Sequence, residues 1–252
     1  MGQSFYEADA DARAVFDEAS ELLGYDMKAL CFEENEKLNL TQYTQPAMVT
    51  TGIAIMKVVE KQGLLPDTAA GLSLGEYEAL YAAGALSVTD AIRVVARRGE
   101  LMEAAVPAGV GAMAAVLGAE ASLIEETLSE IPEVWIANYN CPGQIVISGK
   151  KEAVEAAAEA LKARGIKRVL MLNVSGPFHS GLLREAGEAL GKVLAETEIH
   201  PLRIPYYANV TGDIVEDAAK VRGLLTEQVY SSVRFEQSIR NMLSAGVDTF
   251  YE

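Results

Sequence analysis

Three residues in this sequence sit where their types could do chemistry: a serine, a histidine and an arginine. Gly71-Leu72-Ser73-Leu74-Gly75 fits the pattern G-x-S-x-G. That pattern suits a sharp bend between a strand and a helix, with glycines relieving crowding on either side and the serine hydroxyl pushed outward from a strained backbone. The helix that follows aims its N-terminal N–H groups at the site, which favours developing negative charge, and the N–H of Leu74 is the natural oxyanion donor. A five-residue match can also arise by chance in a sequence rich in small residues.

A serine hydroxyl needs a base. The sequence has two histidines. His179 lies in the loop Ser175-Gly176-Pro177-Phe178-His179-Ser180, which can carry an imidazole over a site. His200, beside Pro201, reads better as a surface or capping histidine. The arginine is Arg98. At 3.6 residues per turn, Ala91, Val94, Val95, Leu101, Met102 and Ala105 form an apolar stripe that includes Arg98, while Arg93, Arg97, Glu100 and Glu103 lie off it. A guanidinium on a core-facing stripe needs a buried ion-pair partner or a ligand, such as a substrate carboxylate gripped by two hydrogen bonds.

The elements that must position these residues alternate in type, the mark of an α/β protein. Helical patterns cover residues 8–23, 46–62, 74–83 and 88–105, the last opened by a capping box at Ser87-Val88-Thr89-Asp90. The middle of the chain reads β-α-β-β-α-β: strands at 112–117, 134–139, 144–148 and 168–174, helices at 122–131 and 152–164. This is the ferredoxin-like split unit, whose ends permit insertion into a loop of another domain. The expected organisation is a discontinuous large α/β domain, 1–109 and 175–252, around a small ferredoxin-like domain, 110–174. A helix to about residue 197, a strand at 204–208, helices at 223–230 and 234–244 and a strand from Val247 to Tyr251 complete the large domain.

Composition narrows the function. With 252 residues, half of them hydrophobic, the chain can bury a sizeable core. A net charge of −15 argues against nucleic-acid binding. No apolar run spans a bilayer and the first residues do not read as a signal peptide, so the default is a cytoplasmic protein without membrane attachment. Two cysteines far apart, and no Cys/His cluster at ligand spacing, suggest neither disulfides nor a metal site.

Taken together, Gly71-Leu72-Ser73-Leu74-Gly75-Glu76-Tyr77, Arg98-Gly99 leading to Met113, Asn140-Cys141-Pro142-Gly143-Gln144 and Gly176-Pro177-Phe178-His179-Ser180 occur in the order found in the malonyl-CoA:acyl carrier protein transacylases of bacterial fatty acid synthesis. The sequence resembles that acyltransferase family over nearly its whole length. The resemblance implies an α/β-hydrolase-like large domain with a ferredoxin-like small one. Malonyl-CoA and acyl carrier protein are the implied substrates, with no cofactor beyond the coenzyme A thioester, and the chain is expected to be a monomer. It implies that Ser73 takes the malonyl group as an ester, that His179 acts as base and acid, and that Arg98 pairs with the malonyl carboxylate. The Gln228 backbone carbonyl would orient the histidine. Leu74, Phe178 and Asn140 would border the substrate, Phe178 favouring malonyl over branched units.

There are departures from the family pattern. Leu72 stands where many members have histidine. Members normally begin with a strand and a Gly-Gln-Gly-x-Gln loop supplying a second oxyanion donor, and continue into a Gly-Pro-Gly segment. The chain is therefore expected to be a fragment, and losing one such donor costs about 100- to 1,000-fold in rate. The competing readings are an ordinary α/β-hydrolase (an esterase or thioesterase) and an inactive fragment. An acidic carrier protein must also meet an acidic chain. Lys150, Lys151, Lys162, Arg164, Lys167 and Arg168 could form a local basic patch, or simply solvated helix faces.

Overall fold

In the computed structural model, which describes residues 1–107, 109–174 and 176–252, the first hundred residues are mostly helical. The helices α1 (Gln3–Ala8), α2 (Ala10–Leu23), α3 (Met27–Phe32) and α4 (Thr41–Lys61) precede the two-residue strand β1 (Ala69–Ala70). Next come α5 (Gly75–Ala82) and α6 (Val88–Ala104). The middle of the chain holds β2 (Gly111–Leu117), α7 (Ala121–Ser129), β3 (Val134–Cys141), β4 (Gln144–Lys150), α8 (Lys151–Ala163) and β5 (Arg168–Met171). The last part has α9 (Arg184–Glu196), β6 (Tyr206–Tyr207), β7 (Ile214–Val215), α10 (Val221–Gln228), β8 (Val233–Arg234) and α11 (Phe235–Ser244). Ser175, at the head of the histidine loop, and Ala108, beside the expected domain boundary, lie outside the described residues.

Two compact units emerge. The first comprises Met1–Glu103, Leu190–Tyr206 and Val215–Arg222; the second comprises Ala104–Ala189, Tyr207–Ile214 and Gly223–Glu252.

In the first unit, local sequence explains the helix ends. Asp9 accepts from the N–H groups of Asp11 and Ala12 and so caps α2, and Gly24 closes the same helix in the left-handed conformation with φ of 73°. Ser87 accepts the N–H of Asp90 at 3.0 Å and donates to its carboxylate at 2.6 Å, fixing the start of α6. Helices α4 and α6 approach closely at Gly99. A Cβ there would lie 2.8 Å from the carbonyl oxygen of Thr41, so only glycine permits the approach. Glu103 then reaches back to accept the Gln42 N–H at 3.0 Å, satisfying a donor in the first turn of α4.

In the second unit a five-stranded mixed sheet runs in the order β5-β2-β4-β3-β8. Strand β2 pairs antiparallel with β4, from Gly111↔Lys150 to Leu117↔Gln144, and antiparallel with β5, from Ala114↔Met171 to Leu117↔Arg168. Strands β3 and β8 run parallel, Asn138 opposite Val233. One core cluster packs Ala114, Val116, Ile136, Ile145 and Ile147 of the sheet with Ile124 of α7 and Val154, Ala157 and Leu161 of α8. Met113, Ala137 and Val146 form a separate cluster against Phe178. Side chains alternate across a strand, so Phe178 lies on the sheet face opposite the two helices, and the histidine loop with it.

Three expected strands are shorter or absent. Among the described residues beyond Met171 only the Leu172 N–H still bonds the sheet, to the Met113 carbonyl at 2.9 Å, so β5 stops short of residue 174. Residues 204–208 supply only Tyr206–Tyr207. Val247–Tyr251 forms no strand: it has no ladder partner among the described residues, and Phe250 and Tyr251 are exposed. Among the described residues, no helix is long and apolar enough to cross a membrane.

Candidate active site

The serine turn is built by sterics. Ser73 has φ of 52°, in the left-handed region that non-glycine residues avoid. A Cβ on Gly71 would sit 1.9 Å from the carbonyl oxygen of Gly75, so the bend closes only with glycine at 71. Gly75 differs from the expectation. A Cβ there would meet nothing within 4 Å, so crowding is relieved on one side of the serine only. The Gly75 N–H bonds the Leu72 carbonyl at 3.0 Å and the Glu76 N–H bonds that of Ser73 at 3.2 Å. No backbone acceptor takes the N–H of Leu74 among the described residues, leaving it available at the start of α5.

Arg98 is 2% exposed. Its Nη2 donates to Ser73 Oγ at 3.1 Å and its Nη1 donates to Gln45 Oε1 at 2.8 Å. The guanidinium carbon lies 5.5 Å from the centroid of the Tyr77 ring. Burial pulls the Arg98 pKa below its ordinary value, while Tyr77 and then Glu76, both buried, oppose that shift. An arginine starts from so high a value that it stays charged. Burial also pushes the Tyr77 phenol up to about 12, so this tyrosine is neutral at physiological pH. The stripe that carries Arg98 is rotated slightly from expectation: Ile92 and Gly99 are buried, while Leu101 is half-buried and Ala105 exposed.

Gln45 is the residue that sequence reasoning missed. It is buried and lies on α4 in register with Val49 and Ile53, four and eight residues on. Had the helix been started at 41 rather than 46, Gln45 would have stood out, as Arg98 did, as a polar group on an apolar stripe.

The histidine belongs to the second unit. His179 has φ of 56° and is 4% exposed. Several contacts hold its loop. Ser180 Oγ donates to the Pro177 carbonyl at 2.6 Å, and Cβ atoms on Gly111 and Gly181 would lie 2.4 Å from Pro177 and 2.8 Å from Trp135. His179 Nδ1 lies 2.8 Å from the carbonyl oxygen of Gln228. Gln228 is the last residue of α10, so this carbonyl belongs to the set that the helix leaves without an internal partner. It accepts from Nδ1–H, which leaves Nε2 unprotonated and able to act as a base. The Gln228 side chain donates to Asn209 Oδ1 at 3.5 Å.

The remaining predicted residues fall at different places. Phe178 packs on Met113, Ala137 and Val146 beside the histidine. Asn140 lies at the β3–β4 turn, where its amide donates to Gln144 Oε1 at 3.1 Å. His200 is partly exposed, with Nδ1 3.6 Å from a Glu198 carboxylate oxygen. Among the described residues no cluster of three metal-ligating side chains occurs, and both cysteines are free thiols.

A serine on a strained turn beside a buried guanidinium, and a histidine with one nitrogen tied to a carbonyl, is equipment for moving an acyl group. The chain belongs to the acyl transferase domain family, whose pattern matches residues 1–252. It is 47% identical over 257 residues to the malonyl CoA-acyl carrier protein transacylase of Bacillus subtilis (strain 168), covering 100% of this chain and 81% of that protein. It is 41% identical over 243 residues to the protein of the same name from Escherichia coli (strain K12), covering 94% and 79%. The α/β fold matches the crystal structure of MCAT from Streptococcus pneumoniae with a TM-score of 0.95 at 44% identity, over 99% of this chain and 83% of that one. A malonyl-transacylase solved in complex with its type II PKS acyl-carrier protein matches with a TM-score of 0.94 at 40% identity, over 98% and 82%.

Proposed function

We propose that this chain transfers a malonyl group from coenzyme A to the thiol of acyl carrier protein through an ester on Ser73. The observation that carries the reading is Arg98, a buried charge held 3.1 Å from the Ser73 hydroxyl. A desolvated guanidinium costs stability that its local partners, Glu76 among them, offset, and its place beside the nucleophile gives it a further purpose. A free carboxylate at the end of the acyl group supplies that purpose, by accepting two parallel hydrogen bonds from the fork. An ordinary esterase has no use for it.

In the first half-reaction the Ser73 hydroxyl attacks the thioester carbonyl while His179 Nε2 accepts its proton. The oxyanion that forms is met by the Leu74 N–H at the α5 N-terminus. Collapse of the intermediate expels the coenzyme A thiolate, which takes the proton from His179. In the second half the histidine accepts the proton of the carrier thiol, which attacks the Ser73 ester, and Ser73 recovers the proton as it leaves. The Gln228 carbonyl keeps His179 in the tautomer that both halves need. It carries only a partial charge, so it stabilises the imidazolium less than a carboxylate does and leaves the proton easier to return. Phe178 would limit the room for branches on the acyl chain. A thioester is exchanged for a thioester, so the chemistry requires no cofactor.

The element order from β2 to β5, with its strands arranged β5-β2-β4-β3, supports reading 110–174 as a ferredoxin-like domain inserted into an α/β-hydrolase-like domain of residues 1–109 and 175–252. We assign the protein to the cytoplasm, acting as a monomer. Supplying malonyl-CoA with and without carrier protein tests the function: malonyl transfer to the carrier outpaces hydrolysis. Hydrolysis faster than transfer would make the protein a thioesterase.

A further inference from the structure

The six basic residues that could form one patch do not. Lys150 and Lys151 lie at the N-terminal end of α8, with Lys150 paired to Glu133 at 2.6 Å. Lys162 pairs with Glu159 at 2.9 Å. Arg164, Lys167 and Arg168 lie beyond the other end of α8, about 20 Å away at the usual helical rise. These three line a concavity of about 470 Å³ together with Leu117 and Leu123, with Glu120 as the acid among its lining residues. Arg164 reaches Glu126 at 3.2 Å. Among the described residues, neither Lys167 nor Arg168 has a carboxylate within ion-pair distance, and both are exposed.

We propose that this concavity is the docking surface for an acidic face of the carrier protein. The inference rests on the function proposed above and adds where the partner binds. A chain of net charge −15 repels an acidic partner at long range, so productive encounter needs a local cationic site. This concavity is such a site, and it is built as an interface is: an apolar floor at Leu117 and Leu123 with a charged rim. Next to Arg168 on the edge strand β5, Leu170 and Met171 are 51% and 48% exposed, extending the apolar surface.

The sheet register also suits delivery of a thiol on a flexible arm. Arg168 pairs with Leu117 at one end of β2, and Gly111 at the other end packs on Pro177 of the histidine loop. Six residue steps of strand separate the two ends of β2, about 20 Å. A carrier docked at Arg168 therefore stands off from His179 by a strand's length, with β5 running between, so its thiol must arrive on an extended arm.

The test is Lys167→Glu/Arg168→Glu in the full chain, with Lys150→Glu/Lys151→Glu as a variant of equal charge change at the other end of α8. Carrier binding is titrated directly, and loading of the chain from malonyl-CoA is followed separately. For Lys167→Glu/Arg168→Glu the carrier Kd and KM rise about tenfold or more, and the salt dependence of carrier binding flattens. The loading rate and the KM for malonyl-CoA stay unchanged, and the control pair changes carrier binding little. An unchanged carrier Kd, an equal loss in the control pair, or a rise confined to the malonyl-CoA KM would overturn the assignment. Failure of wild-type loading would count against the function of Ser73, while the binding titration would still decide the docking surface.

Discussion

Arg98 Nη2 donates to Ser73 Oγ at 3.1 Å, while its Nη1 donates to Gln45 Oε1. The same guanidinium that would hold a substrate carboxylate thus holds the nucleophile. On the proposed function, a carboxylate arriving at the fork would take over the Nη2 hydrogen bond and free the serine hydroxyl. Arg98→Ala should therefore cut kcat/KM for malonyl-CoA by roughly 100-fold, the worth of a charged, two-point hydrogen bond. Acetyl-CoA, which has no carboxylate to lose, should be used as well or better. Steady-state loading with both donors checks this; equal losses for both would remove Arg98 from the carboxylate role.

Gln45→Leu leaves the Arg98 Nη1 without its neutral acceptor. Hydrogen bonds to charged groups are worth about 1.5–3 kcal/mol. The KM for malonyl-CoA should rise about tenfold or more, with a smaller change in kcat and little change for acetyl-CoA. A loss of similar size for both donors would mean that Gln45 only supports the helix packing.

The two glycines of the serine turn should separate cleanly. Gly71→Ala puts a methyl 1.9 Å from the Gly75 carbonyl, a contact between backbone atoms that cannot swing away. Thermal unfolding should show a loss of about 3 kcal/mol, the upper end for overpacking. Gly75→Ala meets nothing within 4 Å at the first position of α5. Alanine is favoured over glycine in helices by up to about 1 kcal/mol, so this variant should unfold no lower than the parent.

Glu78, on α5, carries a pH dependence of stability. Burial pushes its carboxyl up to about 7, and a Cβ on Gly52 of α4 would lie 2.6 Å from that carboxyl group. The folded state thus holds a proton that the unfolded chain releases near the usual carboxylate value. Its contribution is complete below that value and is lost as pH rises toward 7 and beyond. Glu78→Gln should be more stable than the parent at pH 8 by about 1–3 kcal/mol and nearly equal to it at pH 4. Urea unfolding at the two pH values checks this; equal differences at both would show that Glu78 does not titrate in that range.

How far the sequence could be read follows from how local each signal is. The helices and the strands of the middle region announce themselves through periodicity, and Ser87 with Asp90 marks the start of α6 within four residues. The strained serine turn is legible because its glycines flank the serine within five residues, though only packing shows that Gly71 is constrained and Gly75 is not. Arg98 is visible as a charge on an apolar stripe, but its partner Gln45 lies 53 residues earlier and comes near only because Gly99 admits α4. The Gln228 carbonyl is a backbone group that no side-chain pattern can encode; resemblance to a family supplied it. The strand expected at Val247–Tyr251 has the right composition, but a strand is made by its neighbour as much as by itself.

The central claim, that Ser73 carries the malonyl group, is met most directly by intact-mass analysis of the chain after brief exposure to malonyl-CoA. The account predicts one malonyl adduct, mapped to Ser73, absent in Ser73→Ala, and discharged when carrier protein is added. An adduct that persists in Ser73→Ala, or no adduct on the parent chain, would contradict it.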